Sequence, residues 1–530
     1  MLNSELQLLP LGRSGFPALR ASNSVYVDKT AFIYQLARED GKFFLARPRR
    51  FGKSLLVSTL ESLFKFGLRD FDGLAISKLW TDTTYSVAHL DFSLISTFKS
   101  AEDFSKKFQE SIADSFAELG FAPTDRTNVL SELSGWLKKL PSRSLVILID
   151  EYDAPLTACL DTPKLFEAVL MSMREFYLTI KSCDDCLRFL FMTGITKFSS
   201  TSIFSELNNV TDLTLNSDYG SLLGYTKEEI QHYFAAHIAQ AAEKLHLSKA
   251  EILRQLEINY DGFCFDRQAA SHVFCPWSVL SFLAAPTQGF NNYWYASGGK
   301  PSVLMKYLVN HSLADPASYA QNQEVSLSDL SNASDLDTID IRVLLTQAGY
   351  LTIKAVASDG WIQLGYPNKE VSVSMAQLYS RELFHGKRIK KPDAPTLEQV
   401  LAEGALSDVV DYFNWIFNTI DYQNYPVTSE SHCRALLLVL LIGAGLPAIS
   451  EKHSALGRSD LEVDAGHRRW VFEIKYAKVE SEAPKLLKTA VEQMQTKRYG
   501  DAPHGKDLIR VALVFGAEDR RFIAWQQLSA

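Results

Sequence analysis

Cysteine is scarce in this sequence, with six in 530 residues, and only Cys183 and Cys186 stand close together. One C-x-x-C without a second Cys or His pair nearby makes a poor zinc site, so reduced free thiols are the expectation. Long apolar runs are lacking too. The longest, 435–449, is too short to cross a bilayer and contains Gly443, Gly445 and Pro447, so it reads as a buried helix. Met1-Leu2-Asn3-Ser4-Glu5 has neither the basic nor the apolar region of a signal peptide, which makes a cytoplasmic chain with no membrane partner the expectation. An excess of positive charge is also missing. The formal net charge is -8, so no global basic field announces nucleic acid, and any such surface must be local. Neither an internal repeat nor a low-complexity tract is visible.

What is present suits a soluble globular protein: 46% hydrophobic and 22% charged residues, in a length that corresponds to about three or four domains. To about residue 225 the pattern alternates between strand and helix, as a parallel sheet requires. Val25-Tyr26-Val27 reads as a short strand, with Asp28 or Thr30 capping a helix over 31–38. Helices are expected over 102–119, 130–140 and 163–181. The run Leu145-Val-Ile-Leu-Ile149 looks like a central strand buried on both faces, and 187–194 like another. Thr226-Lys-Glu-Glu229 resembles a capping box opening a helix through 242, and Pro276 begins a further one. A polar linker is expected at 331–337. A helix over 341–349 and a hairpin of 350–353 with 361–364 suggest a winged-helix-like module. A boundary at 392–395 precedes a compact α/β unit.

The organising stretch is Phe43-Phe-Leu-Ala-Arg47-Pro-Arg-Arg-Phe-Gly52-Lys53-Ser54, a strand, a basic turn and a helix start. Gly-Lys-Ser at such a junction is a phosphate-binding device: backbone N–H groups of Gly52 and the helix N-terminus attract the anion, Lys53 reaches the β- and γ-phosphates, and the Ser54 hydroxyl holds Mg²⁺. Arg47 stands where the first Gly of the usual motif would fall, and a plain basic turn before an amphipathic helix has the same local pattern. Asp150-Glu151 decides between the two. These acids end the most apolar strand, at the edge of a parallel sheet where ligands bind. There Asp150 can reach Mg²⁺ through water and Glu151 can orient or deprotonate an attacking water. Thr193, ending the next strand, is placed to sense the γ-phosphate, and Lys197 or Arg188 to supply positive charge.

A second constellation follows Gly457-Arg-Ser-Asp460. In the strand Trp470-Val-Phe-Glu473-Ile-Lys475-Tyr476, side chains alternate, so Glu473 and Lys475 share one face. That pairing suits metal-dependent phosphodiester cleavage, with Asp460 and Glu473 binding Mg²⁺ and Lys475 positioning water or stabilising charge on the phosphate. An ordinary exposed hairpin face would carry E-x-K equally well.

Tyr26-Val-Asp-Lys-Thr30, Arg47-Pro-Arg-Arg-Phe-Gly-Lys-Ser54, Leu148-Ile-Asp-Glu-Tyr-Asp153, Thr193-Gly-Ile-Thr-Lys-Phe198, Phe204-Ser-Glu-Leu-Asn-Asn209, Asn291-Asn-Tyr-Trp294, Gly349-Tyr-Leu-Thr-Ile353 and Tyr366-Pro-Asn-Lys-Glu-Val371 together resemble the bacterial AAA-ATPase-like family, whose members typically carry a C-terminal PD-(D/E)XK nuclease-like domain. The resemblance makes Arg47 a family signature. It also implies that Glu430, Glu451, Asp460, Glu473-Ile-Lys475 and Gln493 form the nuclease pattern in order, with Glu430 adding to the metal site and Gln493 orienting the lysine or water. Ser459 replaces the Pro of the superfamily's name. Lys197 stands where Arg is common, which weakens it as a charge finger. At least one of Arg47, Arg49 and Arg50 is expected to face the nucleotide. Lys485, Lys488, Lys497 and Arg498 offer local positive charge for a phosphate backbone, or form a solvated helix face.

The expected fold is therefore α/β multidomain: a P-loop NTPase parallel sheet (1–225), a helical domain (226–335), a winged-helix-like module (336–425) and a C-terminal α/β restriction-endonuclease-like domain (426–530). The expected activity is ATP hydrolysis coupled to Mg²⁺-dependent cleavage of nucleic acid, DNA in particular. The alternative is a nucleotide-gated interaction or scaffold module that binds without cutting. AAA-like sites often borrow a charge from a neighbour, which leaves a homo-oligomer open.

Overall fold

The computed structural model describes residues 6–198, 207, 209–297, 304, 319, 323–331, 339–357, 360–383, 394–420, 427–446, 448–454, 457–497 and 505–528; at 381–383, 449–454, 457 and 458 the description is of backbone alone. The linker expected at 331–337 lies outside these residues beyond Ser331. So do 392–393 of the expected boundary, most of the 204–209 motif, Arg498 and the side chain of Glu451. Two compact units are present, Met1–His311 with Asn322–Val371, and Ser312–Gln321 with Ser372–Ala530.

The first unit is built on β1 (Gly41–Ala46), β2 (Ser86–Asp91), β3 (Leu145–Asp150), β4 (Leu187–Gly194) and β5 (Val210–Asp212), in the order β2-β3-β4-β1-β5. Every pairing is parallel. All six residues of β3 are buried, as a strand covered by helices on both faces must be. The helices Lys53–Phe66, Ala101–Ala117, Val129–Leu137 and Pro163–Lys181 lie close to their expected positions. Because β4 is inserted between β1 and β3, Ala46 sits beside Gly194 and Ile149 beside Met192. The carboxyl ends of all three strands therefore open at one edge.

Val25–Val27 differs from expectation. It forms no strand, and only its neighbour Ser24 makes a bridge, to Leu8. Val25 and Val27 instead bury into a helical cluster with Ile230, Phe234, Ile238, Leu256 and Phe282. The capping box at Thr226 and Glu229 is present. The helix it opens ends at Tyr233 and a second, Ala235–Leu245, follows, because Phe234 leaves helical geometry to bury its ring against Tyr225. Beyond these, β7 (Thr352–Val356) and β8 (Trp361–Gly365) form the expected hairpin after the helix Ile341–Ala348. An unforeseen strand, β6 (Gln323–Ser326), pairs with β8 and completes a three-stranded sheet. The Glu370 carboxylate joins these parts, accepting from the Ser278 hydroxyl (2.7 Å) and the Trp294 N–H (2.8 Å). Burial raises its pKa to about 8.

The second unit carries a mixed sheet of β9 (Ala448–Ser454), β10 (Gly457–Ala465), β11 (Arg468–Ala477), β12 (Asp507–Gly516) and β13 (Arg521–Leu528), ordered β13-β12-β11-β10-β9. Only β11 and β12 run parallel. The helices Leu397–Glu403 and Leu406–Thr419 belong to this unit, although the sequence groups them with the winged-helix-like segment. Trp470 explains why: its indole donates to the Leu401 carbonyl at 2.8 Å, and Phe472 meets Phe413 edge-on. The opposite face of β11 packs Val471 against Ala490 and Met494 of the Ala483–Lys497 helix. The apolar run 435–449 divides between the helix Glu430–Gly443 and the start of β9.

Candidate active sites

In the phosphate loop, β1 delivers the chain to Arg47, and Arg50 (φ 72°) and Gly52 (φ 94°) turn it through left-handed geometry into the Lys53–Phe66 helix. That conformation is ordinary for Gly52 and strained for Arg50. Lys53 is only 6% exposed, and its ammonium donates to the carbonyls of Arg47 (2.9 Å) and Pro48 (3.2 Å). Burial lowers its pKa, and Glu151, Asp150 and Asp153 oppose that shift. A cavity of about 490 Å³ opens beside it, lined by Arg49, Arg50, Gly52, Lys53, Ser54 and Glu151 together with less polar groups including Tyr225, Trp277 and Leu280. Its size is that of small-molecule sites, and a lining that mixes charged loop groups with aromatic and aliphatic ones suits a phosphorylated heterocycle such as ATP. The Arg50 guanidinium lies 4.3 Å above the Trp277 ring.

Arg47 is placed elsewhere. It is 1% exposed, and its guanidinium donates to the carbonyls of Ala46 (2.9 Å), Thr214 (2.7 Å) and Tyr219 (3.2 Å) while covering the Phe265 ring at 4.3 Å. The side chain expected to contact nucleotide is thus a strut fixing the loop to the segment after β5. Of the three loop arginines, Arg49 and Arg50 line the cavity. Burial pulls the Arg47 pKa down to about 9, so it stays charged at neutral pH.

Across the sheet, the Thr193 hydroxyl donates to Asp150, and the Glu151 N–H reaches Asp150 Oδ1 (3.1 Å) and Thr193 Oγ (3.3 Å). Thr193 therefore orients Asp150, as its position on the inserted strand allows. Glu151 adopts φ 51°, a strained conformation for a non-glycine residue. Burial raises its pKa, and Lys53 acts against that. Asp153 went unassigned in the sequence although it closes the same Asp-Glu-Tyr-Asp string. Buried at 3% exposure, it accepts from the N–H groups of Ile195 (3.1 Å) and Thr196 (2.8 Å), and burial lifts its pKa to about 6. Tyr152 adds a second tie, donating to the Thr196 carbonyl and accepting from the Phe198 N–H. Lys197 pairs with Asp212 at 2.7 Å and donates to the Ser331 carbonyl. Arg188 enters β4 at the far edge, bonded to the Ala37 and Glu39 carbonyls and to Asp82. A residue at that end of β4 cannot reach the phosphate loop, so Arg188 is excluded as a source of charge there.

In the second unit, Asp460, Glu473, Lys475 and Glu430 meet. Lys475 donates to Glu473 at 2.8 Å and to Glu430 at 3.3 Å. Asp460 accepts from the Ile474 N–H at 2.8 Å and from Arg434 at 3.0 Å. Glu473 is fully buried, and its Oε2 has no hydrogen-bond partner. Burial first, then Asp460, raises its pKa to about 7. Burial disfavours the Lys475 ammonium, but Glu473, Glu430 and Asp460 more than offset this and raise its pKa. An orphaned carboxylate oxygen beside a second carboxylate fits a hard cation such as Mg²⁺. Asp460 and Glu473 are the side chains that could hold it. Glu430 enters through Lys475, and among the described residues no three His, Cys, Asp or Glu side chains gather as a metal cluster. Ser459 is buried and donates to Glu462 at 3.0 Å. Gln493 stands half-buried beside Met494 on the helix packed over β11. Lys485, Lys488 and Lys497 are exposed on that helix.

Residues 10–204 match the family model described as "Predicted AAA-ATPase", and residues 428–525 match the PD-(D/E)XK nuclease superfamily. The chain thus joins an AAA-ATPase-like domain to a C-terminal nuclease-superfamily domain. A similar protein from Azotobacter chroococcum mcd 1, described as an "Uncharacterized protein in vnfD 5'region", is 28% identical over 531 residues, covering 98% of each chain. Among the described residues no helix is long and apolar enough to cross a membrane.

Proposed function

We propose that this protein binds and hydrolyses ATP and couples that cycle to Mg²⁺-dependent cleavage of nucleic acid, DNA being the expected substrate. The observation that carries the nuclease half is the convergence of Asp460, Glu473 and Lys475, with one Glu473 oxygen buried and unpartnered. Bound Mg²⁺ supplies Lewis acidity toward a phosphoryl oxygen. Asp460 and Glu473 hold the cation, Lys475 orients water or steadies charge on the phosphate, and Gln493 orients the lysine or that water. At the first site Lys53 exchanges the carbonyls of its own loop for phosphate oxygens. Ser54 and Asp150 hold the cation, Thr193 fixes Asp150, and Glu151 takes the proton from the attacking water. The cytoplasm is the expected location.

Plasmid, linear and single-stranded DNA incubated with Mg²⁺, with and without ATP, test this reading. Cleavage is expected to be lost in both Asp460→Ala and Lys475→Ala, and ATP turnover in Lys53→Ala and Glu151→Gln. Unchanged cleavage refutes the nuclease half, and unchanged turnover the ATPase half. One observation favours the second reading, a nucleotide-gated module that binds without cutting: both Asp460 oxygens are already engaged. Tight ATP binding without turnover or metal-dependent cleavage supports that case.

A further inference from the structure

Two ion-pair groups meet at Asp460 and Glu473: Lys475 lies between Glu430 and Glu473, and Arg434 pairs with Asp460. Glu430 and Arg434 are one turn apart on the Glu430–Gly443 helix, so a single helix face presents an acid to Lys475 and a base to Asp460. Neither member of the Arg434–Asp460 pair is a surface side chain, with 18% and 11% of each exposed. A charge pair so shielded from water is screened weakly. Asp460 and Glu473 bring two carboxylates together, and Glu473 Oε2 is a buried oxygen without a hydrogen-bond partner.

We propose that Arg434 is the resident counter-ion of the metal site. It holds Asp460 in place without metal and competes with a divalent cation for that carboxylate, thereby setting the site's cation affinity. This inference rests on the metal-dependent reading above. The physical reason is that a cation arriving at Asp460 and Glu473 meets a carboxylate already neutralised at 3.0 Å. Coordination at that oxygen sets the cation against the guanidinium, whose charge repels it and whose hold there must weaken. Lys475 does not impose the same penalty, because its other carboxylate, Glu430, remains available to it. Arg434 is therefore a positioning residue, and its effect is read in metal binding before any cleavage is measured.

The test is Mn²⁺ binding to the full chain without nucleotide, followed by electron paramagnetic resonance. The signal counted is the part that Asp460→Asn abolishes. Arg434→Gln is expected to tighten that binding about ten-fold, and Arg434→Lys, which keeps charge but loses the planar fork, to fall between it and the natural protein. Thermal unfolding of each variant selects those that remain folded, with Arg434→Lys the more conservative. Equal or weaker Mn²⁺ binding in folded Arg434→Gln overturns the counter-ion role while leaving the metal-dependent reading standing. No Asp460-dependent binding in any form overturns both. Binding seen only after Arg434 is replaced supports the competition in its strongest form.

Discussion

Replacing Arg47 separates a strut from a phosphate ligand. In Arg47→Met the guanidinium is lost, leaving the Ala46, Thr214 and Tyr219 carbonyls without that donor. Hydrogen bonds to a charged donor contribute about 1.5–3 kcal/mol each. Stacking over Phe265 adds about 2 kcal/mol at a desolvated site. The gross stabilisation is thus roughly 6.5–11 kcal/mol, about 9 at the middle of the range. Burial works the other way: a pKa pulled down to about 9 corresponds to a cost on the order of 5 kcal/mol for keeping the charge. The difference predicts that Arg47→Met destabilises the first unit by about 4 kcal/mol, since a flexible thioether fills part of the space but donates nothing. Denaturant unfolding measures this, and binding of a fluorescent ATP analogue to the folded variant measures the site. Affinity is expected to stay within about three-fold, because the ammonium of Lys53 and the loop amides remain. An unchanged unfolding midpoint together with a ten-fold or greater loss of affinity refutes the reasoning.

Asp153 gives a pH signature. Its folded pKa of about 6 lies above the ordinary 3.8, so its contribution to stability is complete below about pH 4 and is lost as pH rises through 6. Asp153→Asn is expected to flatten that part of the midpoint-against-pH curve, and identical slopes refute the assignment. Glu370 should act in the same sense over a higher range. Its contribution declines from about pH 4.5 to 8, and the decline is expected to vanish in Glu370→Gln when unfolding is followed across that range. Glu473→Gln is expected to abolish cleavage yet raise stability by about 1 kcal/mol above pH 7, because it removes a buried charge with an unpartnered oxygen. A variant that is both inactive and less stable contradicts that account.

The strand-turn-helix around Lys53 and the apolar run of β3 were legible because each is a local pattern with one physical solution. The hairpin of β7 and β8 was legible for the same reason. β6 was not, since Gln-Glu-Val-Ser carries a single apolar residue and becomes a strand only by pairing with β8. Arg47 misled because its partners, Thr214 and Tyr219, lie 167 and 172 residues further along. No local reading gives a side chain's direction across that distance. Glu473 and Lys475 on one strand face followed from alternation alone. That Arg434 would meet Asp460 required the helix and β10 to be docked, although Arg434 stood in plain view four residues after Glu430.

The insertion of β4 between β1 and β3 has a consequence for synthesis. Both neighbours of β1, which are β4 and β5, are encoded about 150 residues or more after it. While the ribosome makes the intervening chain, β1 has no partner and both its edges are open, a condition that invites pairing with other chains. Only when Gly194 has emerged can Lys53 and Asp150 be brought to one edge. The nucleotide-binding half thus folds through long-range closure, and a chain stopped between β3 and β4 would hold both halves of the motif with nothing to join them.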